Sequence, residues 1–247
     1  MGQVYVVGIG PGAYEEMTVR AGKILSKCDV IVGYTVYVDL VRNHFPGKEF
    51  LTTPMRREEE RCELAFEEAR KGKRVALICS GDAGIYGMAG LMYEVGRNYK
   101  DISIEVVPGV TAALGGAALL GAPMVHDCCF ISLSDLLTPW EKIEKRLIAA
   151  AQSDFVICLY NPSSKKRQDY LRRACDLLLK YKKEETVCGL VKNIARDGEI
   201  SEILTLKELG ETKADMFTTV FVGNQETLVI QGKMVTPRGY DRERKEI

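Results

Sequence analysis

The sequence is poor in the residues that build metal centres and disulfide frameworks. Its 247 residues include only two histidines, His44 and His126, which excludes a histidine-rich metal site. The eight cysteines form no C-x-x-C pair, and the two closest, Cys128 and Cys129, are adjacent, so on a strand they point to opposite faces. Several others lie inside apolar runs, where a reduced cysteine serves as a small hydrophobic residue. We therefore predict neither a metal site nor a disulfide.

The chain also lacks net charge and long apolar stretches. Lysine plus arginine and aspartate plus glutamate number 34 each, so charge favours neither nucleic acid nor an anionic membrane as a partner. No apolar run is long enough to span a bilayer, and the N-terminus lacks the basic-then-apolar pattern of a secretory signal. Because neither a membrane span nor a secretory signal is predicted, we expect a cytoplasmic protein. With 46% hydrophobic residues, the composition supports full cores.

Strand-like and helix-like segments alternate in the first half of the chain. Four runs rich in β-branched residues are typical of short buried strands: residues 4–7, 30–32, 75–79 and 104–107. Thr18 is a suitable N-cap for a helix over residues 19–27, and residues 57–71 place apolar side chains on one helix face and charges on the other. Buried strands joined by helices predict a parallel sheet that is covered on both faces.

The composition changes at residues 110–122, which are rich in alanine, glycine and leucine and predict a closely packed helix. After Pro123 a second set of strands is predicted at 130–133, 155–159, 187–190, 200–204, 218–222 and 234–235, with helices at 138–152 and 165–181. The last strands follow one another over short connections, so part of this sheet should be antiparallel. We predict two α/β domains: residues 1–115 with a parallel sheet, and residues 116–247 with a mixed sheet.

Four loops that follow predicted strands carry the candidate chemistry. They are residues 8–12 (Gly-Ile-Gly-Pro-Gly), 80–87 (Ser-Gly-Asp-Ala-Gly-Ile-Tyr-Gly), 108–112 (Pro-Gly-Val-Thr-Ala) and 160–163 (Tyr-Asn-Pro-Ser). A glycine turn with an aspartate is by itself usually only a turn. Ligands of open parallel sheets bind beyond the carboxyl ends of the strands, however, so loops at these positions can converge. The combination therefore predicts a site for a small molecule.

The first of these loops differs from a dinucleotide-binding loop. The fingerprint G-x-G-x-x-G holds a pyrophosphate with its glycines and the N-terminus of the following helix. Here the third glycine comes one residue early, Pro11 removes one N–H donor, and no helix is predicted to begin at once. No acidic residue stands at the end of the second strand, because Asp29 lies at its start. An NAD-dependent oxidoreductase is therefore the weaker interpretation, and a titration with NAD would reveal it.

In this order and at these intervals, the loops resemble those of the tetrapyrrole (corrin/porphyrin) methylases, which use S-adenosylmethionine. The resemblance covers nearly the whole chain. It implies two α/β domains with the active site in the cleft between them, S-adenosylhomocysteine as the product, a homodimer, and methyl transfer to a carbon atom of a tetrapyrrole. The cofactor has no phosphate, which agrees with the form of the first loop.

Three further segments narrow the resemblance to one subgroup. Residues 126–140, 159–167 and 234–240 are similar to segments of precorrin-3B and cobalt-factor III C17-methyltransferases, for which methylation accompanies contraction of the ring in cobalamin biosynthesis. Ala83 stands where many tetrapyrrole methylases carry proline, and alanine is usual in the C17 subgroup. Whether the substrate carries cobalt stays open. The alternatives are a methylase acting at C11 or C20 and the related diphthine synthase. The segment 132–140 favours the C17 subgroup over both.

The resemblance implies that residues 8–12, 81–87 and 108–112 form the cofactor loops, and the candidate cofactor-binding residues lie in these and in the fourth loop. They are Gly10, Pro11, Gly81, Asp82, Ala83, Ile85, Tyr86, Thr111, Ala112, Tyr160 and Asn161. Backbone groups of residues 81–83 can hold the methionine end of the cofactor. Thr111 and Ala112 stand at a predicted helix start, which suits a carboxylate. A non-catalytic binding module is a further alternative, but four glycine loops at one edge favour a buried ligand.

Methyl transfer chiefly needs alignment, whereas ring contraction needs proton transfer. The candidate catalytic residues are Asp82, His126 and Asp135, with Asp127 and Tyr86 as further candidates. The more ordinary explanations are a histidine at a strand edge and an aspartate that caps a helix. Arginine suits the acetate and propionate groups of the substrate, which makes Arg56, Arg57, Arg238 and residues 165–167 candidates, although each also fits a solvated surface.

Overall fold

The computed structural model describes residues 2–164 and 168–240. The chain folds into two compact units, Met1–Ala112 and Ala113–Ile247. The boundary predicted from the sequence, after residue 115, lies inside a helix that spans Ala112–Leu120. Each unit is built around its own five-stranded sheet.

The first unit holds a sheet in which all strands run parallel. Its strands are β1 (Gly2–Gly8), β2 (Val30–Tyr34), β3 (Glu49–Thr53), β4 (Arg74–Cys79) and β5 (Ile102–Val107), in the order β3-β2-β4-β1-β5. From β1 the chain crosses to β2 on one side, and from β4 it crosses to β5 on the other. The strand order therefore reverses between β1 and β4, which is where open parallel sheets place their ligands.

Helices cover both faces of this sheet, as the sequence predicts. They are α1 (Val19–Lys27), α2 (Thr35–Val41), α3 (Glu58–Arg70) and α4 (Ala89–Gly96), with short 3-10 turns at Tyr14–Glu16 and Arg42–His44. Successive strand residues point to opposite faces. Val6 and Leu77 accordingly pack in the core under α3 and α4, whereas Val7 and Ile78 pack under α1 and α2.

The first long helix begins where its cap was predicted. The Oγ1 atom of Thr18 accepts a hydrogen bond from the backbone N–H of Ala21 at 3.1 Å, which satisfies one of the helix's unpaired donors. Between Gly8 and Thr18 there is only the 3-10 turn. No α-helix therefore follows the first glycine loop directly.

The second unit contains a mixed sheet, which confirms the predicted fold class. Its sheet is formed by β7 (Cys128–Ser132), β8 (Val156–Tyr160), β9 (Val187–Lys192), β10 (Ile200–Thr205) and β11 (Thr218–Val222), in the order β10-β9-β11-β8-β7. Only the pairing of β7 with β8 is parallel. One face packs against α6 (Trp140–Gln152), α7 (Tyr170–Leu178) and α8 (Leu206–Glu211), through side chains such as Ile143, Leu171 and Leu209.

The helix at the junction is shorter than predicted. It is α5, Ala112–Leu120, rather than 110–122. Gly121 has a φ of +134° and ends the helix, because that conformation is open essentially to glycine alone. Gly121 and Ala122 form the short strand β6 (Gly121–Ala122), which pairs in parallel with β13 (Lys233–Val235).

A second correction concerns the strand predicted at 234–235. It is β13, and it belongs to a separate three-stranded sheet with β6 and β12 (Leu228–Ile230), not to the mixed sheet. The helix predicted at 165–181 spans Tyr170–Leu178 in the structure, and residues 165–167 lie outside the described residues.

Glycines let α5 pack closely on the mixed sheet. A Cβ added to Gly116 would lie 2.9 Å from the ring of Phe221, and Gly189 on β9 faces the side chain of Leu120 at similarly close range. Ala113, Gly116, Ala117 and Leu120 are buried. Gly116 and Leu120 are therefore used in packing inside this unit.

Candidate active site

Three of the four predicted loops leave adjacent strands of the first unit at one sheet edge. They follow β4, β1 and β5. The first two loops are joined by a pair of backbone hydrogen bonds: Gly10 N–H donates to the carbonyl of Gly81 at 3.1 Å, and Gly81 N–H donates to that of Gly10 at 2.7 Å. Both glycines have positive φ angles, +81° and +70°. The prediction that loops 8–12 and 80–87 come together is confirmed.

Asp82 ties the second loop to the third. Its Oδ1 atom accepts hydrogen bonds from the backbone N–H groups of Gly84 at 2.7 Å and Ile85 at 3.0 Å, and its Oδ2 atom accepts from Gly109 at 2.9 Å. Both carboxylate oxygens are thus committed to the backbone of loops 80–87 and 108–112. The geometry gives Asp82 the role of organising the loops.

Glycine is required in these loops because they pack against each other. A Cβ added to Gly8 would lie 2.7 Å from both the amide nitrogen of Gly109 and the carbonyl oxygen of Gly81. A Cβ added to Gly10 would lie 2.7 Å from the carbonyl oxygen of Glu16. The sequence predicted that the backbone at these glycines comes close to a ligand. At these positions the close neighbour is instead another backbone segment of the protein.

The second loop exposes its tip and buries its base. Ile85 and Tyr86 are 37% and 51% exposed, and Tyr86 has a φ of +53°. By contrast, Ala83 is fully buried in the core under α3 and α4, and its carbonyl accepts a hydrogen bond from the N–H of Ala89 at 2.9 Å. Pro11 in the first loop is also buried. The second loop therefore offers residues 84–86 to a ligand.

The third loop leads straight into α5, with Thr111 buried and Ala112 as the first helical residue. The N–H of Ala113 donates to the phenolic oxygen of Tyr160 at 2.9 Å. A helix N-terminus leaves its first N–H groups unpaired, and here Tyr160 satisfies one of them.

The fourth loop follows β8 in the second unit. Asn161 has a φ of +53°, and its Nδ2 atom donates to the Oγ atom of Ser132 at 2.9 Å. That hydroxyl also accepts from the N–H of Ser134 at 3.2 Å. Tyr160 and Asn161 are thus held by residues of the 126–140 segment and of α5.

The remaining predicted catalytic residues, His126 and Asp135, bond to different partners. The Nε2 atom of His126 lies 3.0 Å from the carbonyl oxygen of Pro237, and because a carbonyl only accepts, this nitrogen carries the hydrogen. The phenol of Tyr170 donates to Oδ2 of Asp135 at 2.5 Å. This hydrogen bond, with burial, raises the pKa of Tyr170 above its ordinary value.

Tyr170 and its neighbours were not predicted from the sequence. The ring of Tyr170 lies 4.7 Å from that of Trp140, and the guanidinium of Arg173 stacks over Trp140 at 4.1 Å. Tyr170 is 35 residues from Asp135 along the chain, so no local pattern joins them. Only Trp140, inside the segment 126–140, carried a signal.

The cysteines do not form a reactive or metal-binding group. All eight are free thiols, six of them buried. Burial raises the pKa of Cys62 to about 12 and that of Cys79 to about 11, so both are protonated at neutral pH. Within residues 2–164 and 168–240 there is no cluster of three or more His, Cys, Asp or Glu side chains that could hold a metal ion. In the same part of the chain, no helix is both long and apolar enough to cross a membrane.

Residues 3–210 match the family model of the tetrapyrrole (corrin/porphyrin) methylases. A relative from Salmonella typhimurium, the "Probable cobalt-factor III C(17)-methyltransferase", is 49% identical over 95% of this chain and 98% of its own. The "Precorrin-3B C(17)-methyltransferase" of Sinorhizobium sp is 36% identical over 97% of each chain. This chain spans 46% and 53% of two longer relatives.

A solved structure, the methyltransferase CobJ, is similar along nearly its whole length. It superposes with a TM-score of 0.89 and 34% identity, over 96% of this chain and 100% of the CobJ chain. The fold described above therefore has a counterpart in a solved methyltransferase structure.

Proposed function

The chain belongs to the tetrapyrrole (corrin/porphyrin) methylases, and from this premise we propose that it is an S-adenosylmethionine-dependent methyltransferase of cobalamin biosynthesis. It transfers a methyl group to C17 of a tetrapyrrole of the precorrin-3B or cobalt-factor III type, and the transfer is coupled to ring contraction. The observation that carries the proposal is the joined set of loops 8–12, 80–87 and 108–112 at the carboxyl edge of β4, β1 and β5.

The relatives favour a substrate that carries cobalt. Identity is 49% to a relative named for cobalt-factor III and 36% to one named for precorrin-3B. Both are named C17-methyltransferases and are matched over almost their whole length. We therefore propose a cobalt-bearing tetrapyrrole as the preferred substrate, with the cobalt belonging to the substrate and not to the protein.

The residues of the first unit suit S-adenosylmethionine better than a dinucleotide. Pro11 leaves the first loop with one donor fewer, and the loop leads into a 3-10 turn and not directly into an α-helix N-terminus. The tip at residues 84–86 presents apolar side chains and backbone groups, whose positions are fixed by Asp82. We propose that six further residues contact the cofactor: Gly10, Gly81, Thr111, Ala112, Tyr160 and Asn161. Asp82 is assigned a positioning role.

When bound, the cofactor supplies an electrophilic methyl group, and the protein's task is to align it with the attacking carbon. The ring-contraction step needs a proton donor or acceptor. We propose Asp135 with its hydrogen-bonded Tyr170, and His126, for this task. We further propose that the protein is cytoplasmic and homodimeric.

The test is direct. The purified protein is incubated with S-adenosylmethionine carrying a ¹³C-labelled methyl group and with cobalt-factor III or precorrin-3B, and the methylated carbon is located by NMR. Calorimetry with S-adenosylhomocysteine and with NAD is run in parallel. Label at C17 and binding of S-adenosylhomocysteine alone are expected. Label at C11 or C20 would assign another methylase activity, and binding of NAD alone would overturn the proposal.

A further inference from the structure

Arg61 is a buried cation whose hydrogen-bond partners are all neutral. It lies in the first turn of α3 and is 4% exposed. Its Nε atom donates to Oγ1 of Thr53 at 2.8 Å, and its Nη2 atom donates to the carbonyl oxygens of Thr53 at 3.4 Å and Pro54 at 3.0 Å. Its Nη1 atom donates to the thioether sulfur of Met88 at 3.3 Å, which is a weak acceptor.

The other buried charges of the described residues are compensated. Glu68 is paired with Lys71 and Lys73, at 2.6 and 2.7 Å. Lys182 is paired with Asp154 at 3.0 Å. A buried charge without a counter-charge is costly, so Arg61 is the exception that requires an explanation. A bound anion would supply the missing charge.

The position of Arg61 indicates where such an anion comes from. Thr53 ends β3, Met88 follows loop 80–87, and the guanidinium carbon lies 5.9 Å from the ring of Tyr34, which ends β2. All three are at the carboxyl ends of the parallel strands. Arg61 therefore lies at the same sheet edge as the joined loops, on the β2–β3 side of them.

A second arginine, Arg56, follows two residues after Pro54, whose carbonyl accepts a hydrogen bond from Arg61. Arg56 is exposed and has a φ of +68°, a conformation that a non-glycine residue seldom adopts and that concentrates at ligand sites. Its backbone N–H donates to Oε1 of Glu58 at 3.2 Å. The guanidinium of neighbouring Arg57 is paired with Glu60, whereas within the described residues no carboxylate pairs with that of Arg56.

We propose that Arg61 and Arg56 recognise a carboxylate of the tetrapyrrole substrate, an acetate or propionate side chain at the ring periphery; this rests on the proposed function. Arg61 is the anchor, because its planar fork suits a carboxylate. Met88 is half-buried and unbranched, so its side chain can move aside. Replacing its sulfur by a carboxylate oxygen turns a weak hydrogen bond into a charge-assisted one.

The experiment measures binding of uroporphyrin III, an octacarboxylate tetrapyrrole, by fluorescence titration, and binding of S-adenosylhomocysteine by calorimetry. The variants are Arg61→Gln, Arg61→Lys and Arg56→Gln. The matched control is Arg70→Gln, which makes the same charge change in the last turn of the same helix, where Arg70 is exposed and paired with Glu67.

We expect Arg61→Gln and Arg56→Gln to weaken uroporphyrin III binding by about tenfold or more, while the affinity for S-adenosylhomocysteine stays within about twofold. Arg61→Lys should fall between parent and Arg61→Gln, and Arg70→Gln should behave as the parent. Unchanged uroporphyrin III binding in both glutamine variants overturns the proposal. Selective loss of S-adenosylhomocysteine binding also overturns it, because the anion is then the cofactor's carboxylate.

Two further measurements keep the result unambiguous. If circular dichroism shows that Arg61→Gln does not fold, Arg56→Gln decides alone, because its side chain is exposed. Methyl transfer by the unmodified protein tests the proposed function separately. In an active enzyme, Arg56→Gln should raise KM for the tetrapyrrole and leave kcat near its parent value; an unchanged KM contradicts the assignment.

Discussion

At the scale of single residues, Asp82 connects two loops that are distant in sequence. Its carboxylate accepts three backbone N–H groups, one of them from Gly109, 27 residues away. From the sequence, Asp82 was a candidate for both cofactor binding and catalysis, because an aspartate beside glycines fits either task. The hydrogen bonds that define its role are non-local and could not be predicted from the chain alone.

We expect Asp82→Ala to weaken S-adenosylhomocysteine binding by at least tenfold and to lower stability by about 1 kcal/mol, because three backbone N–H groups that position the loops lose their acceptor. Calorimetry and urea unfolding measure the two effects. Asp101→Ala, in an exposed turn, is the control and should change neither. Parent-like affinity in a folded Asp82→Ala protein would show that the loops hold their arrangement without this carboxylate.

Gly10 offers a prediction about stability. From the sequence, Gly10 was expected to lie against the cofactor, so that a side chain there would block binding and leave the fold largely intact. In the structure an added Cβ would lie 2.7 Å from the carbonyl oxygen of Glu16, so we now expect even Gly10→Ala to destabilise the protein. Gly47 is the matched control: its φ is +78°, close to the +81° of Gly10, but nothing lies within 4 Å of its Cβ position.

The φ strain alone costs about 1–3 kcal/mol, so Gly47→Ala should lose about that much free energy of unfolding. Gly10→Ala should lose clearly more, measured by urea unfolding of both variants side by side. Equal losses would mean that the backbone near Glu16 shifts freely to admit the methyl group.

For the proton-transfer step, we expect His126→Ala and Asp135→Asn to retain S-adenosylhomocysteine affinity and to slow turnover. General acid–base catalysis contributes about 10²–10⁴-fold, and ring contraction should suffer more than methyl transfer. Tyr170→Phe separates two roles of Asp135: it removes the 2.5 Å hydrogen bond and leaves the carboxylate. Product analysis by NMR and mass spectrometry follows both steps. If both the His126 and Asp135 variants turn over within a few-fold of the parent, these residues do not transfer protons. The segment 126–140 would then serve in packing or in shaping the substrate site.

At the scale of secondary-structure elements, buried strands were the most predictable part of the fold. β1, β2, β4 and β5 are short apolar runs that contain β-branched residues, and each was predicted within a few residues. β3, an edge strand with Glu49 and Thr52 exposed, was missed. α8 was also missed, although Thr205 and Glu208 form a capping box, a signal that can be recognised in the sequence.

The loops of the candidate site were predicted, but their mutual contacts were not. Strand-end glycines marked the three loops of the first unit, because parallel strands bring their carboxyl ends to one edge. The bond of His126 to Pro237 spans 111 residues, and no periodicity encodes such a pairing. Arg61 was taken as part of the charged face of α3, since a buried arginine and an exposed one look the same in a sequence.

One element-scale prediction concerns acid stability. Asp29 at the start of β2 accepts hydrogen bonds from the backbone N–H of Arg74 at 2.8 Å and from its Nη2 at 3.0 Å, and Arg74 lowers the pKa of Asp29 to about 2. A carboxyl with a lowered folded-state pKa stabilises the protein above its unfolded pKa of about 3.9, and this contribution is lost as the pH falls towards 2.

We therefore expect Asp29→Asn to lower the free energy of unfolding at pH 7 and to flatten its fall between about pH 4 and pH 2. Urea unfolding at a series of pH values measures both. Asp101→Asn serves as the control and should follow the parent curve. An unchanged acid dependence in Asp29→Asn would show that this exposed pair adds nothing to the joining of β2 and β4.

At the scale of the whole molecule, the homodimer stays a prediction, and the structure indicates a different surface for its interface. The resemblance implied it, and the apolar residues 115–123 were a candidate for the interface, but Gly116 and Leu120 of that stretch pack within the second unit. A different surface supports it better. β12 is an edge strand whose residues Leu228, Val229 and Ile230 are 52%, 53% and 42% exposed. An exposed apolar edge strand favours pairing with another chain.

We expect sedimentation velocity to show a dimer of the 27.5 kDa chain at micromolar concentration, and Val229→Lys to shift it to the monomer, because a lysine on the edge opposes strand pairing and burial. Val19→Lys is the control, since Val19 on α1 is an exposed valine, 73% accessible, outside this sheet. A monomeric parent would refute the dimer itself. A dimer that survives Val229→Lys with an unchanged dissociation constant would refute only β12 as the interface, and the apolar surface of that strand would then need another partner.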